Sequence, residues 1–416
     1  MSTTKPFVID KWLVYEAFKA VKANAGSAGV DQQSLADFEA DLKGNLYRVW
    51  NRMSSGSYFP DPVKAVAIPK KNGGERILGV PTVSDRVAQM VVKQVIEPGI
   101  ESIFLPDSYG YRPGKSALDA VGVTRERCWK YDWVLEFDIK GLFDNIDHDL
   151  LQRALRKHVK SDWAMLYIDR WLKAPLQLSD GSRVERIPGT PQGGVVSPVL
   201  SNLFLHYTFD VWMGRTFPNL PWCRYADDGL VHCRTEQEAQ AVKAALQARL
   251  AECHLEMHPD KTKIVYCKDG SRKGRYPHTQ FDFLGYTFRR RIVRNRKRNS
   301  IFVNFTPAVS AAALKSMRQT TREARFQTRT YLSVTDIARM HNPVLRGWLS
   351  YYGKFSPSAM YPVLRHFNRT LIAWAMRKYK RLKGHRTRAA IFVEGIAKRQ
   401  PRLFVHWQRG MTGAFA

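Results

Sequence analysis

Acidic residues are scarce in this chain: 37 Asp and Glu stand against 66 Lys and Arg in 416 residues, a net charge of +29. That imbalance points to a polyanionic partner. The shortage is local, since from Arg289 onward 3 acidic residues face 28 basic ones, whereas residues 1–288 carry 34 against 38. A near-neutral body with a basic last third suggests that one part performs chemistry while the other grips phosphate backbone. A membrane surface would attract the same charge, but neither a lipidation signal nor a juxtamembrane basic patch accompanies it. Cysteine is sparse too, with Cys128, Cys223, Cys233, Cys253 and Cys267 scattered without a Cys-x-x-Cys pair. A disulfide framework and a zinc module are therefore both unsupported, and the five read as reduced thiols. No apolar run is long enough to span a bilayer, and Met-Ser-Thr-Thr-Lys-Pro at the start lacks the apolar stretch of a signal peptide, so a cytoplasmic protein is expected. Internal repeats and low-complexity segments are absent as well.

What is present is a chain with 44% hydrophobic residues, enough for a real core and for two or three domains. Residues 1–60 read as a helical extension, with Trp12, Tyr15, Phe18 and Lys19 at helical spacing, a break at Gly26 to Gly29, and a second helical pattern from Leu35 to Val49. Residues 61–288 mix short β-branched strands (63–68, 133–139 and 263–267 among them) with helices such as 236–252, which predicts an α+β domain. A basic helical region over 289–384 opens with seven basic residues in ten and is followed by a basic tail over 385–416. Within it Lys315, Arg318, Arg322, Arg325 and Arg329 recur at steps of three and four, which predicts one basic stripe on one helix. A solvated surface face is the alternative for that stripe. Asn342-Pro343 predicts a helix start by capping and first-turn preference, and Gly384 a helix stop.

The chemistry concentrates on Tyr225-Ala226-Asp227-Asp228, which reads as the tip of a hairpin between two apolar strands, with Gly229 supplying permissive turn dihedrals. Paired acids there can hold a divalent metal, although turns favour Asp in any case. A second acidic site lies 89 residues earlier, where the strand Val134-Leu135-Glu136-Phe137-Asp138 ends. Alternation puts Glu136 and Asp138 on one face, so Asp138 can point into a cleft. A calcium loop is excluded there because Lys140 and Leu142 sit where oxygen ligands are required. Two-metal phosphoryl transfer needs carboxylates from separate elements, and Asp138 with Asp227 and Asp228 could supply them. Ile68-Pro69-Lys70 to Arg76 and Pro81 reads as a Gly-tipped hairpin presenting Lys70 and Arg76, either as a triphosphate clamp or as an ordinary basic loop. Thr190-Pro191-Gln192-Gly193 is a loop leading into an apolar helix over 199–209.

In this order the segments resemble the motif series of reverse transcriptases, and specifically the group II intron-encoded reverse transcriptase and maturase family of bacterial type. The resemblance spans nearly the whole chain, adding Gly26 to Asp31, Ser108-Tyr109-Gly110-Tyr111-Arg112-Pro113-Gly114, His258-Pro259-Asp260-Lys261, Phe283-Leu284-Gly285-Tyr286 and Leu345-Arg346-Gly347-Trp348 to Tyr352. It implies a right-hand polymerase fold of fingers and palm, with an N-terminal helical extension and an α-helical thumb. By resemblance Asp138, Asp227 and Asp228 are the catalytic carboxylates, with the Ile139 carbonyl as a further metal ligand and two Mg²⁺ ions, replaceable by Mn²⁺, as cofactors. Lys70 and Arg76 then bind the incoming deoxynucleoside triphosphate, Gln192 contacts its sugar, and Phe143 blocks a ribose 2′-hydroxyl, although Phe143 also fits as a core residue. Implied partners are RNA template and primer, a group II intron RNA bound partly through Lys315, Arg318, Arg322, Arg325 and Arg329, and target DNA. The alternatives are an RNA-binding splicing cofactor with secondary polymerase activity and a domesticated reverse transcriptase used in defence or diversification. An HNH endonuclease with Cys pairs, found in some members, has no counterpart in these residues, so target cleavage is not expected.

Overall fold

The computed structural model describes residues 5–69, 74–295 and 299–412. The expected helical extension forms α1 (Lys11–Asn24), α2 (Leu35–Ala40) and α3 (Leu42–Ser54). The hairpin of β1 (Val63–Pro69) and β2 (Glu75–Val80) follows, paired from Lys64↔Val80 out to Pro69↔Glu75. Lys70 lies outside the described residues. Next comes α4 (Val83–Glu101), started by Thr82, whose hydroxyl accepts from the Asp85 amide at 3.1 Å, and buried along most of its first three turns. After α5 (Ala117–Cys128) and β3 (Trp133–Asp138) come α6 (Leu142–Asn145), α7 (His148–His158), α8 (Asp162–Leu172) and the short strands β4 (Leu176–Gln177) and β5 (Arg183–Val184).

The apolar helix expected after Gln192 is α9 (Ser197–Leu205), which widens into a single π-turn, His206–Asp210, before α10 (Val211–Thr216). The hairpin of β6 (Trp222–Tyr225) and β7 (Asp228–Cys233), the helix α11 (Glu236–Glu252) with a Thr235–Glu238 capping box, and β8 (Lys263–Tyr266) complete this part. The strands form a sheet of order β6-β7-β3-β8, and the earlier ones a sheet of order β2-β1-β4-β5. Mixed helices and largely antiparallel strands give an α+β architecture, as the sequence predicts.

The last part holds β9 (Gln280–Phe283), β10 (Tyr286–Asn295) and β11 (Ser300–Val309) in a sheet of order β11-β10-β9, then α12 (Ala311–Glu323), α13 (Val334–Tyr352), α14 (Tyr361–Lys378) and α15 (Arg386–Arg399). Three expectations fail here. First, the helix predicted to begin at Asn342-Pro343 begins at Ser333, whose hydroxyl and the Asp336 carboxylate form a capping box, and Pro343 lies inside α13. The reciprocal cap satisfies two free amides at once, and the buried Ile337, Ala338, Leu345 and Leu349 reward continuation through the proline. Second, the basic stripe is shorter than predicted: α12 ends at Glu323, and Arg325 takes a left-handed conformation at φ 46°, so only Lys315, Arg318 and Arg322 share one helix. Third, residues 386–409 are not a tail. Ala389, Val393, Phe404 and Trp407 join Phe326, Leu349, Phe367 and Trp374 in one core.

The chain divides into two compact units, one of residues 1–120 with 135–264, the other of residues 121–134 with 265–416. The late unit thus takes in residues from 265 onward together with a short early segment. In the second unit Asn368 Oδ1 accepts from the Trp407 indole at 3.2 Å and lies 2.7 Å from His406 Nε2, while Trp407 stacks edge-on against Phe404. If this segment is integral, Trp407→Ala should destabilise the protein by about 3–5 kcal/mol, as expected for a fully buried tryptophan. A denaturation midpoint equal to that of the unaltered chain would show that the segment is an appendage.

Candidate active site

Asp138 ends β3, and the Asp227–Asp228 pair occupies the β6–β7 turn, both within the first unit. The turn is tight, with Tyr225 paired to Asp228 and only Ala226 and Asp227 between them. Its positive φ, 55°, belongs to Ala226, so the expected role of Gly229 needs correction. A Cβ on Gly229 would lie 2.1 Å from Phe137 Cζ; the glycine is there for space, letting β7 lie against β3 beneath the carboxylates. From the other side Gly110 comes so close that a Cβ would sit 2.3 Å from the Ala226 amide nitrogen. The loop carrying it is bonded to β6 by the Tyr109 amide to the Arg224 carbonyl at 2.8 Å and the Arg224 amide to the Asp107 carbonyl at 3.0 Å.

Beneath the turn lies a side chain that sequence reasoning missed. Arg224 is completely buried and donates Nε and Nη2 to the two Asp210 carboxylate oxygens, each at 2.7 Å. The same guanidinium reaches Asn202 Oδ1 at 3.0 Å, the Ala226 carbonyl at 3.1 Å and Ser108 Oγ at 2.9 Å. Asn202 in turn donates to the Gly110 carbonyl at 2.7 Å. Burial would lift the Asp210 carboxyl, but Arg224 overcomes it and holds that group below the ordinary carboxylate range. The Pro-Trp-Cys-Arg-Tyr pattern announces a strand and gives no sign that its arginine faces inward.

Asp227 and Asp228 have no such close cationic partner among the described residues. Asp138 is buried and pairs through Oδ2 with Lys261 Nζ at 2.5 Å. Burial pushes Asp228 up to about 7, helped by the charges of Asp227 and Asp138 and by a hydrogen bond from its carboxyl to that of Asp138. Asp228 keeps a solvent-facing edge, so water screens part of this repulsion. Burial lifts Asp227 as well, with Asp138 adding to the rise and Arg76 and Lys261 opposing it. Tyr111, at φ 57°, lies close enough to Asp227 for the carboxylate to raise its phenol after burial has done so. Among the described residues no three His, Cys, Asp or Glu side chains are gathered at metal-ligand spacing; Lys261 occupies an oxygen of Asp138 that a cation would require. The donor set still fits a divalent metal, since three like charges in one cleft lose their mutual repulsion when a cation enters.

Other predicted residues converge in the same unit. The bonds Lys140 N to Glu256 O at 2.9 Å and His258 N to Asp138 O at 2.8 Å flank buried Ile139. Phe143 sits half-buried on α6, and its carbonyl accepts from the Thr190 amide at 2.7 Å. Gly189, at φ 87°, allows this approach, because a Cβ would fall 2.6 Å from the Phe143 carbonyl oxygen. Gln192 then donates Nε2 to Asp144 at 3.1 Å, and its carbonyl accepts from Gly79 N of β2 at 2.9 Å. Hairpin, loop and short helix thus border one small cavity, lined by Ile77, Gly79, Asp144, Arg186 and Gln192 among others. Arg76 is exposed and near enough to Asp227 to act on it, whereas Lys70 is outside the described residues.

Two outcomes follow from the contrasting electrostatics. Arg224→Ala leaves Asp210 buried without its partner and should cost about 3–5 kcal/mol, read as a lowered denaturation midpoint. Asp228→Asn should do the opposite in chelator-containing buffer. A carboxyl whose folded pKa exceeds its unfolded value weakens the fold progressively as pH rises from about 4 to about 7, so the variant's gain in melting temperature should be larger at pH 8 than at pH 5. An equal shift at both pH values would contradict the assigned repulsion.

Comparison with known proteins shows the family. The model of the family described as reverse transcriptase (RNA-dependent DNA polymerase) matches residues 68–288, and that of the group II intron, maturase-specific domain matches residues 314–391. Protein YkfC of Escherichia coli strain K12 is 31% identical over 332 residues, covering 69% of this chain and 82% of that protein. The group II intron-encoded protein LtrA of Lactococcus lactis subsp. cremoris is 32% identical over 197 residues, covering 47% of this chain and 32% of that protein. Nuclear intron maturase 1 of Arabidopsis thaliana is 30% identical over 93 residues, 22% of this chain and 13% of that protein.

Proposed function

The chain belongs to the reverse transcriptase family and carries the maturase-specific domain of group II intron proteins, and we propose that it copies RNA into DNA at a site built on Asp138, Asp227 and Asp228. The observation that supports this most directly is the meeting of Asp138 and the Asp227–Asp228 turn from separate strands, where burial and the charge of Asp138 raise the Asp227 and Asp228 carboxyls. The family implies a palm and fingers, and the α+β arrangement of the first unit agrees with it. We assign the helices from α12 onward to a thumb.

Asp138, Asp227 and Asp228, with the Ile139 carbonyl, would hold two Mg²⁺ ions, for which Mn²⁺ could stand in. When bound, such ions supply Lewis acidity toward the attacking hydroxyl and the leaving pyrophosphate. The protein's own groups do the rest. Lys261 pairs with Asp138 Oδ2, the oxygen for which a bound cation would compete. Arg76, together with Lys70, neutralises the triphosphate of a deoxynucleotide, and Gln192, oriented by Asp144, meets its sugar. Phe143, fixed through the Thr190 bond to its carbonyl, stands against a ribose 2′-hydroxyl. Lys315, Arg318 and Arg322 line the exposed side of α12, and Arg325 and Arg329 continue the positive charge past its end, where paired RNA would be met by backbone and shape.

The match to the maturase-specific domain favours a second, concurrent activity: binding group II intron RNA to promote splicing, and reaching target DNA during mobility. Primer extension on poly(rA) with oligo(dT) and Mg²⁺ tests the polymerase directly. Asp138→Ala and Asp228→Ala should each reduce synthesis to background with the fold intact by circular dichroism. Undiminished extension by either variant would remove these carboxylates from the site.

A further inference from the structure

The sheet of the second unit is three-stranded only at its base. β9 pairs with Tyr286 to Arg289, whereas β10 and β11 remain paired from Tyr286↔Val309 out to Asn295↔Ser300. Residues 290–295 and 300–305 thus continue as a two-stranded ribbon, touched along one edge by the Gly270 amide donating to the Val303 carbonyl at 3.3 Å. Such a ribbon is marginal in water without a partner. Neither arm contains an acidic residue, while β10 carries Arg289, Arg290, Arg291 and Arg294. Arg291 folds back onto the carbonyls of Thr306 and Thr287, each at 3.3 Å, and Arg294 reaches Asn299 Oδ1 at 2.6 Å. Arg289 and Arg290 form no ion pair among the described residues. Cross-strand partners share a face, so Arg290, Ile292 and Arg294 lie on the same side as Phe305, Val303 and Ile301. On that side Ile292 is 76% exposed and Ile301 72% exposed. Aliphatic side chains between unpaired cations suit neither water nor another basic surface.

We infer that this ribbon is an RNA-binding element in its own right, one that lies on the phosphate backbone and shallow groove of a paired RNA stem. It rests on the reading that the chain acts on RNA. Charge complementarity selects a polyanion, and a ribbon that presents its cations on one face suits the wide, shallow minor groove of A-form RNA, whose deep, narrow major groove side chains cannot read. The face of Arg290, Ile292 and Arg294 exposes guanidinium and aliphatic groups, with the exposed Phe302 on the opposite face, and the lack of stacking aromatics beside those cations favours a paired stem over a single strand.

The test uses the full chain and a blunt RNA hairpin of roughly twenty base pairs, the span of a shape-reading RNA domain being similar, titrated at several salt concentrations. Arg290→Gln combined with Arg294→Gln should reduce the slope of log affinity against log salt by about 1 to 2, while the Lys pair at these positions keeps it. Ile292→Ser with Ile301→Ser should weaken binding without changing the slope. Extension of oligo(dT) on poly(rA) should stay within about twofold for all of these variants, a change of no more than roughly 0.4 kcal/mol in barrier. Unchanged affinity and slope would overturn the inference. So would a parallel loss of primer extension, which would place the ribbon on the template path, or a loss of self-association in sedimentation, which would make a second copy its partner. Loss of extension in Asp228→Asn with hairpin binding retained separates the two sites, and hairpin binding is read independently of any polymerase activity.

Discussion

The buried pair of Arg224 and Asp210 is the interaction on which the candidate site depends. One guanidinium satisfies five acceptors drawn from the π-turn, α9, the loop before α5 and the Asp227–Asp228 turn itself. Charges so placed are tolerable only when every donor is used, because desolvation otherwise exceeds the attraction. The π-turn matters here, since the additional residue it accommodates alters the helix register just where Asp210 must face Arg224. The turn bearing Asp227 and Asp228 is held from below by this network and from the side by the close backbone of Gly110.

Compensation beneath the turn allows frustration above it. Arg224 neutralises Asp210 completely in the interior, whereas Asp138, Asp227 and Asp228 share one partly positioned cation, Lys261, and a more distant one, Arg76. A rigid platform keeps three repelling carboxylates together that a softer one would let spread apart. The repulsion is then available to ligand binding, which relieves it.

Legibility in the sequence followed the range of the interaction. Strands 133–138, 222–225, 228–233 and 263–266 and helix 236–252 come from alternation, apolar spacing and local caps, and the structure has them within a residue or two of expectation. The carboxylates were legible because each stands at a strand end next to turn residues. Arg224 was not, because its partners lie 14, 22 and 116 positions away and nothing local distinguishes it from an exposed strand arginine. Pro343 misled for a related reason: its local preference for a helix start is real, but the Ser333–Asp336 cap and the core contacts of Ile337 and Leu349 outweigh it. The stripe of basic residues kept perfect spacing past Glu323, yet spacing alone does not oblige a helix to continue, and Arg325 turns the backbone away. Gly229 was recognised as special for the wrong reason, since space against Phe137 cannot be seen without the neighbouring strand.

The assignment of residues 121–134 to the second unit bears on the order in which the chain can be made. Cys128, Trp129 and Trp133 emerge early in translation, but groups that they meet come much later: Trp129 donates to the Phe305 carbonyl at 2.9 Å, Arg272 donates to the Cys128 carbonyl at 3.0 Å, and Trp133 packs against Tyr266 and Tyr276. While the ribosome adds the intervening stretch, these apolar side chains have no native cover. The nascent protein therefore passes through an interval in which a sticky early segment waits for a late partner, the condition under which chaperones and aggregation compete.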